Sequence, residues 1–414
     1  MASGKIKRVA AKLLLVAAGL VFGCLVAEIA LRVIGYSYPI FYQSDPDRGY
    51  APIPNVEGWF WVENKTYVRM NSQGFRDREH SLEKPPNTIR IAVLGDSFAE
   101  ARQVPMEAAF WSVLERELDG CSRFGGKKVE VINFGVGGYG TPSQLMTLRQ
   151  RVWQYSPDIV LLAFTTYNDV ADNYRPFKGA DEIPYFRFEG DQLILDDSFR
   201  SSRKYLRNSS WWFNAWIWLH NSSRFIQLAH HAQFALRTQI SHSKELKRIE
   251  RSKEQQKSVP GSRPPATSSS VTEHFGVENA IYVPPDNSDW TQAWKLTEGL
   301  IAQMRDEVEQ KGSKIMFVTV TTDIQAYPDA EVRQQRADQI GVPDLWFPNR
   351  HLRTIADEKG IDFFDLADPM QTYALETKTF LHGFGDQMGS GHWNEAGHSL
   401  AGELISKQLC EANP

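Results

Sequence analysis

Apolar positions along this chain follow three patterns, and each predicts a different kind of element. The first is an uncharged run of fifteen residues from Leu13 to Ala27, preceded by Lys5, Lys7, Arg8 and Lys12. It is short for a membrane-spanning helix, which needs ~20 residues. Apolar character continues, however, through Ile29-Ala30-Leu31 and Val33-Ile34. The pattern favours an uncleaved membrane anchor over residues 1–35. A cleaved signal peptide and a lipoprotein signal at Val21-Phe22-Gly23-Cys24 are the alternatives; cleavage after Ala27 would set Leu25 at an unsuitable position. A basic flank stays on the cytoplasmic side, so the chain beyond about residue 35 is expected to be extracytoplasmic, in a periplasmic domain behind a single N-in span.

The second pattern alternates short, uniformly apolar runs with stretches of helical period. Ile89–Leu94, Val129–Ile132, Ile159–Phe164, Lys314–Val320 and Ile361–Phe364 read as strands. Segments near 107–118, 142–155, 290–310, 330–359 and 395–409 read as helices. Strands with no polar face, separated by helices, predict a parallel sheet covered on both sides. The fold class is therefore α/β, with one domain built from two pieces, 89–170 and 290–414.

The third pattern is the absence of either period. Residues 36–88 form an irregular, aromatic entry segment with a turn near Gly74 in Asn71-Ser72-Gln73-Gly74-Phe75-Arg76-Asp77. Residues 171–289 read as a helical, partly disordered insert. Its aromatic helix candidate, Trp211–Trp218, either packs inside the protein or serves as a lid or membrane contact. Residues 258–272, rich in Ser and Pro, have too little apolar surface to order themselves.

Charge and composition narrow the function. A net charge of −4, with no zinc or RNA-binding motif, gives no sign of a nucleic-acid partner. Cys121 and Cys410 either pair in an oxidising compartment or stay as thiols. The adjacent His230 and His231 lack ligand spacing, so no metal is expected, and nothing calls for a cofactor.

Four segments should meet at one end of the sheet. Ser97 closes the first strand in Gly95-Asp96-Ser97, where open α/β sheets place their ligands. Gly138 follows the second strand, Asn168 the third, and His392 precedes the last helix. A serine hydroxyl becomes a nucleophile when an imidazole takes its proton. The resulting oxyanion needs preorganised donors, which the backbone N–H groups of Ser97 and Gly138 and the Asn168 amide can supply. Asp96 is expected to be a structural hydrogen-bonder. His398, on the final helix, is the competing base.

These blocks resemble the SGNH, or GDSL-type, hydrolases, whose hallmark Ser, Gly, Asn and His occur in that order. Ser97 in Gly-Asp-Ser-Phe, Gly138 in Val-Gly-Gly-Tyr-Gly, Asn168 in Tyr-Asn-Asp and His392 in His-Trp-Asn-Glu-Ala-Gly match them. The resemblance, to a membrane-anchored bacterial subgroup, covers 88–170 and 290–410. It implies an esterase acting through an acyl-enzyme, on a flavodoxin-like three-layer sandwich with sheet order 2-1-3-4-5. The substrate would be a small-molecule or glycan acyl ester. The alternatives are an O-acetyltransferase acting on an exported polysaccharide and a catalytically silent binding fold. Two positions depart from the family. Tyr167 stands where many relatives have Gly, and Gly389 stands where the family's catalytic Asp usually lies, three residues before the His. Asp386, six residues before the His, could orient His392 if the glycine-rich loop Gly383–Gly391 folds back; otherwise the pair is a Ser–His dyad.

Overall fold

A computed structural model of the chain describes residues 2–237, 277–285 and 287–411. The Ser/Pro-rich stretch 258–272 and the charged segment 244–257 lie outside them. The chain divides into two compact units. One contains Met1–Ile40 and the described residues from Trp211 onward to 237; the other is Phe41–Ser210 with the described residues after 276. The expected insert is therefore not one body. Residues 171–210 belong to the unit that carries the sheet, and the aromatic helix belongs to the unit that carries the N-terminus.

The N-terminal unit has one long helix, Ala2–Val33. Its stretch Lys7–Val33, which contains a run of 18 residues with a mean hydropathy of 2.5, is long and apolar enough to cross a membrane.

In the larger unit, the entry segment is more regular than its sequence suggests. It makes two small antiparallel hairpins, β1 (Tyr42–Asp45) with β2 (Gly49–Pro52) and β3 (Glu57–Phe60) with β4 (Thr66–Arg69). The main sheet begins with β5 (Thr88–Leu94), β6 (Lys128–Asn133) and β7 (Ile159–Thr165). A further hairpin, β8 (Tyr185–Glu189) with β9 (Gln192–Asp196), interrupts it. The sheet resumes with β10 (Lys314–Val320) and ends with β11 (Asp362–Asp365).

The order across the sheet is β6-β5-β7-β10-β11, and every pairing is parallel. Counted among these five strands alone, that order reads 2-1-3-4-5. The strand period of two sends alternate residues to opposite faces. Ala92 and Leu94 of β5 join Leu145, Met146, Trp290, Trp294 and Leu300 on one side. Ile91 and Val93 join Phe110, Trp111, Leu114, Ala401 and Ile405 on the other. Both faces are covered, which explains why the strands carry no polar alternation. Each fully buried aliphatic side chain here contributes roughly 1.5–3 kcal/mol relative to exposure. The chain reverses order between β5 and β7, and the loops leaving the strand ends at that reversal form the natural crevice of such a sheet.

Candidate active site

Ser97 opens a short helix, Ser97–Glu100, directly after β5. Asp96 caps it by accepting the Phe98 N–H at 2.9 Å. The turn is tight: a Cβ at Gly95 would come within 2.8 Å of the Ala99 side chain. Ser97 is thereby held with its hydroxyl facing a cavity of about 390 Å³, lined among others by Gly138, Asn168, Lys178, Asp323 and His392. A larger cavity of about 670 Å³ lies at the opposite end of the strands, around Ile89, Ile159 and Lys314.

His392 reaches Ser97 across 295 residues of sequence, and its Nε2 lies 2.8 Å from the Ser97 Oγ. Its Nδ1 lies 2.8 Å from Glu63 Oε1, and its backbone N–H donates to Glu63 Oε2 at 3.2 Å. A carboxylate accepts only, so Nδ1 carries the proton and Nε2 is left to accept the serine hydroxyl. Partial burial pushes the Glu63 carboxyl up, but the hydrogen bonds from the His392 side chain and backbone outweigh it and hold it below the usual carboxylate range. The Phe98 ring lies 4.8 Å from the imidazole, centre to centre, and limits its tilt.

Glu63 is the main correction to the sequence reading. Asp386 lies exposed in the turn Gly385–Gln387, and the imidazole nitrogen assigned to it belongs to Glu63. Nor could an Asp replace Gly389. Its φ is +87°, and a Cβ there would come within 2.6 Å of Tyr327 and 2.9 Å of Phe380. Glu63 itself is a non-glycine residue at φ +63°, a conformation that costs of order 1 kcal/mol or more. Such strain persists when neighbours fix it, and two do. The Asn64 amide and Thr66 hydroxyl both donate to the Gln103 carbonyl, at 2.9 and 3.0 Å. Nothing in the sequence links Glu63 to a histidine 329 residues away. The one available signal was the missing acid at Gly389.

The loop carrying His392 is held by a second histidine that sequence reasoning also missed. The Trp393 indole N–H donates to Thr321 Oγ1 at 2.9 Å. Thr321 and His382 Nε2 are 3.0 Å apart, and His382 Nδ1 meets the Gly391 carbonyl at 2.7 Å. The carbonyl requires a proton on Nδ1, so Nε2 accepts from Thr321. Burial is the main reason that the His382 pKa is pushed down to about 4, which keeps this relay neutral. Asp323 adds a bond from the Gly391 N–H at 3.1 Å. His398, the competing base, is buried elsewhere: it stacks on Phe110 and accepts that residue's N–H at 3.3 Å. Burial lowers its pKa, so it serves as a neutral packing group.

The donors expected for an oxyanion lie at the same cavity. Gly138 has φ +81°, and a Cβ would approach the Tyr50 hydroxyl to 2.7 Å, so glycine is required. Among the described residues, the backbone N–H groups of Ser97 and Gly138 have no acceptor. The Asn168 amide is in place but engaged, donating to Asp96 at 3.3 Å and Asp172 at 3.0 Å. Lys178 ties this corner together, 2.6 Å from Asp172 and 3.2 Å from the Gly138 carbonyl. Beneath it Asp169 is fully buried. Burial, then repulsion from Asp96 and Asp172, pushes its pKa well up, which favours its neutral form. Tyr167 lines the mouth and leaves the Asn168 side chain reachable. Together these groups can remove a proton from Ser97 and stabilise the negative charge that its attack on a carbonyl would place on the carbonyl oxygen.

No known family model matches the chain, and no curated protein matches it. Solved structures do. An acetyl xylan esterase shares 13% identity, with 78% of this chain and 100% of that one covered at a TM-score of 0.38. The lipase/acylhydrolase from Enterococcus faecalis also shares 13%, covering 78% and 95% at 0.35. A GDSL-like lipase from Bacteroides thetaiotaomicron shares 11%, covering 80% and 92% at 0.32. With likeness this distant, the parallel sheet and its site speak for themselves.

Proposed function

We propose that this chain is a membrane-anchored serine esterase of SGNH type, with Ser97 as nucleophile, His392 as general base and Glu63 as its orienting acid. The observation that carries the reading is the continuous line Ser97 Oγ–His392 Nε2 and His392 Nδ1–Glu63, each step 2.8 Å. In the first half-reaction, Nε2 takes the hydroxyl proton as Ser97 attacks the ester carbonyl. Glu63 stabilises the imidazolium through its hydrogen bond to Nδ1, the part a carboxylate plays in serine hydrolases. The Ser97 and Gly138 N–H groups receive the oxyanion, joined by Asn168 when its longer bond to Asp96 gives way. His392 then returns the proton to the leaving alcohol, and water repeats the sequence on the acyl-enzyme. The cavity's lining joins apolar surface, from Phe98 and Tyr167 among others, with Thr321, Thr322, Asp172, Lys178 and Asp323, offering both apolar and polar contacts to an acyl ester.

Ala2–Val33 is read as the anchor, with its basic flank cytoplasmic and the esterase outside. The Cys121–Cys410 disulfide supports that placement, because such bonds persist in oxidising compartments.

The test is labelling by a fluorophosphonate probe together with turnover of a short-chain aryl ester. Wild type should label and turn over, and Ser97→Ala should do neither. Retained turnover in Ser97→Ala would refute the nucleophile assignment. Acyl transfer to an added glycan in preference to water would instead favour the transferase reading.

A further inference from the structure

The N-terminal unit presents an aromatic surface that the proposed reaction does not use. In the helix Trp211–Ser222, Trp211, Trp212, Trp216 and Trp218 are 81%, 49%, 38% and 69% exposed. The helix over 224–237 adds Phe225, Leu228, Phe234 and Leu236, all exposed. Isolated exposed apolar residues are ordinary, but a contiguous set of this size marks an interaction surface.

The way these helices are attached indicates what covers the surface. Both helices are fastened to the C-terminal end of the apolar helix. Glu28 accepts the Arg224 N–H at 3.0 Å, the Phe225 N–H at 2.9 Å and the Ser223 hydroxyl at 2.9 Å. These bonds satisfy the free N–H groups of the second helix's first turn. Arg32 donates to the Ser222 carbonyl at 2.7 Å, and the Ile40 N–H to Asn221 at 2.8 Å. The attachments thus fall between residues 28 and 40. Leu13–Arg32 is 20 residues, which at ~1.5 Å each spans ~30 Å, the thickness of a bilayer's hydrocarbon core. With Lys12 at one face, Arg32 and the attached helices come to the other. Tryptophan is the residue type enriched at that depth. Charge agrees: from Trp211 to Lys244 the sequence has no Asp or Glu, but has Arg224, Arg237 and Lys244. An aromatic surface with no carboxylate in its own sequence, and with Arg237 exposed, suits an anionic lipid headgroup layer.

We infer that residues 211–237 form an interfacial helical hairpin that lies in the headgroup layer at the C-terminal end of the membrane helix. Its Trp and Phe side chains dip into the acyl boundary. This rests on reading Ala2–Val33 as the anchor. The hairpin would make the attachment broad, so that the unit meets the bilayer along a surface as well as through one helix.

The full chain, reconstituted in vesicles of phosphatidylethanolamine and phosphatidylglycerol, tests this through nitroxide labels. Cys24 is an exposed free thiol on the apolar helix, while Cys121 and Cys410 are paired. A label on Cys24 therefore reads the anchor. Labels on Trp218→Cys and on Phe225→Cys, each in a Cys24→Ser background, read the hairpin at two independent exposed positions. Both should be relaxed more by oxygen than by an aqueous nickel complex, at a depth of ~5–10 Å below the phosphates. Stronger relaxation by nickel would overturn the proposal, and so would shielding from both reagents, which would mean a protein partner covers the face. If Cys24 reads lipid while both hairpin labels read water, only the hairpin inference falls. If Cys24 itself reads water, the anchor reading falls with it.

Discussion

Glu63 has the clearest residue-scale consequence. An acid that fixes the imidazole tautomer and stabilises its charge typically supplies several orders of magnitude in rate, as the Asp-to-Asn change in serine proteases illustrates. Glu63→Gln should lower kcat by ~10²–10⁴-fold with little change in KM, whereas Asp386→Asn should cost under tenfold. Steady-state kinetics on an aryl ester decides it; a greater loss in Asp386→Asn would restore the sequence-based choice. Asp169 yields a second prediction, of opposite electrostatic sign. Its pKa is raised in the folded protein by burial and two neighbouring carboxylates, and its Oδ1 lacks a partner among the described residues. The folded state therefore retains a proton that the unfolded state gives up. Stability falls as pH rises from the ordinary aspartate value toward the folded pKa, and the cost is complete at and above the latter. Asp169→Asn, which is neutral at every pH, should be more stable than wild type at neutral pH. That advantage should shrink toward pH 4, as read by urea denaturation across pH. An advantage that stays constant with pH would show that Asp169 is ionised in the fold.

At the scale of elements, the question is how an entry segment outside the sheet delivers a carboxylate to its C-terminal edge. Asn71 Oδ1 accepts the Gln73 and Phe75 N–H groups, shaping a turn whose Gly74 has φ +82°. Phe75 packs against Phe134, at 4.9 Å between ring centres. Arg76 is fully buried and donates to the Glu100, Ala101 and Val104 carbonyls. Asp77 accepts the Asn133 N–H at 2.7 Å, at the end of β6. The motif therefore clamps the loops that follow β5 and β6, the same loops that present Ser97 and receive Asn64 and Thr66. A side chain at Gly74 would meet the Pro52 carbonyl at 2.8 Å and would have to hold a positive φ. Gly74→Val should cost ~1–3 kcal/mol in thermal or chemical denaturation. Thr66→Ala, by contrast, should leave the fold nearly intact and reduce kcat through a looser Glu63. If Thr66→Ala turned over at the wild-type rate with unchanged stability, the pinning role would be excluded. These elements also mark how far the sequence was legible. The five strands and the Ser97, Gly138, Asn168 and His392 blocks carry local signals: an apolar run, a turn glycine, a residue just past a strand end. β1 to β4 are four residues each, too short to carry a period in the sequence even where, as in β4, buried and exposed positions alternate, and they read as irregular coil. Glu63 has no local signal, because its role exists only once the entry segment folds back on the sheet.

For the molecule as a whole, covalent closure and location are one question. Cys121 and Cys410 are bridged across 289 residues, with their Cα atoms 5.9 Å apart. The Arg123 guanidinium donates to the Leu409 carbonyl at 2.6 Å, so the same junction is also hydrogen-bonded. It joins the turn before β6 to the last helix, Glu395–Glu411, which packs beside Phe110–Glu117 on one face of the sheet. This is the end of the sheet where strands begin, opposite Ser97. The bridge removes freedom from the unfolded chain, and closing so long a loop is worth of order 2–5 kcal/mol. In a domain this large, each kcal/mol moves Tm by roughly 2–4 °C, so reduction should lower Tm by roughly 4–20 °C. Turnover at 25 °C should be almost unchanged, because no group at the site depends on the bridge. Calorimetry with and without dithiothreitol, and on Cys121→Ser, checks both halves. The same bond reports topology. Chain exported behind an N-in anchor should give no free thiol except Cys24, whereas chain retained in the cytoplasm should give three. Three free thiols on protein taken from its native membrane, with the Tm of the reduced form, would overturn both the bridge and the proposed extracytoplasmic placement of the sheet-bearing unit.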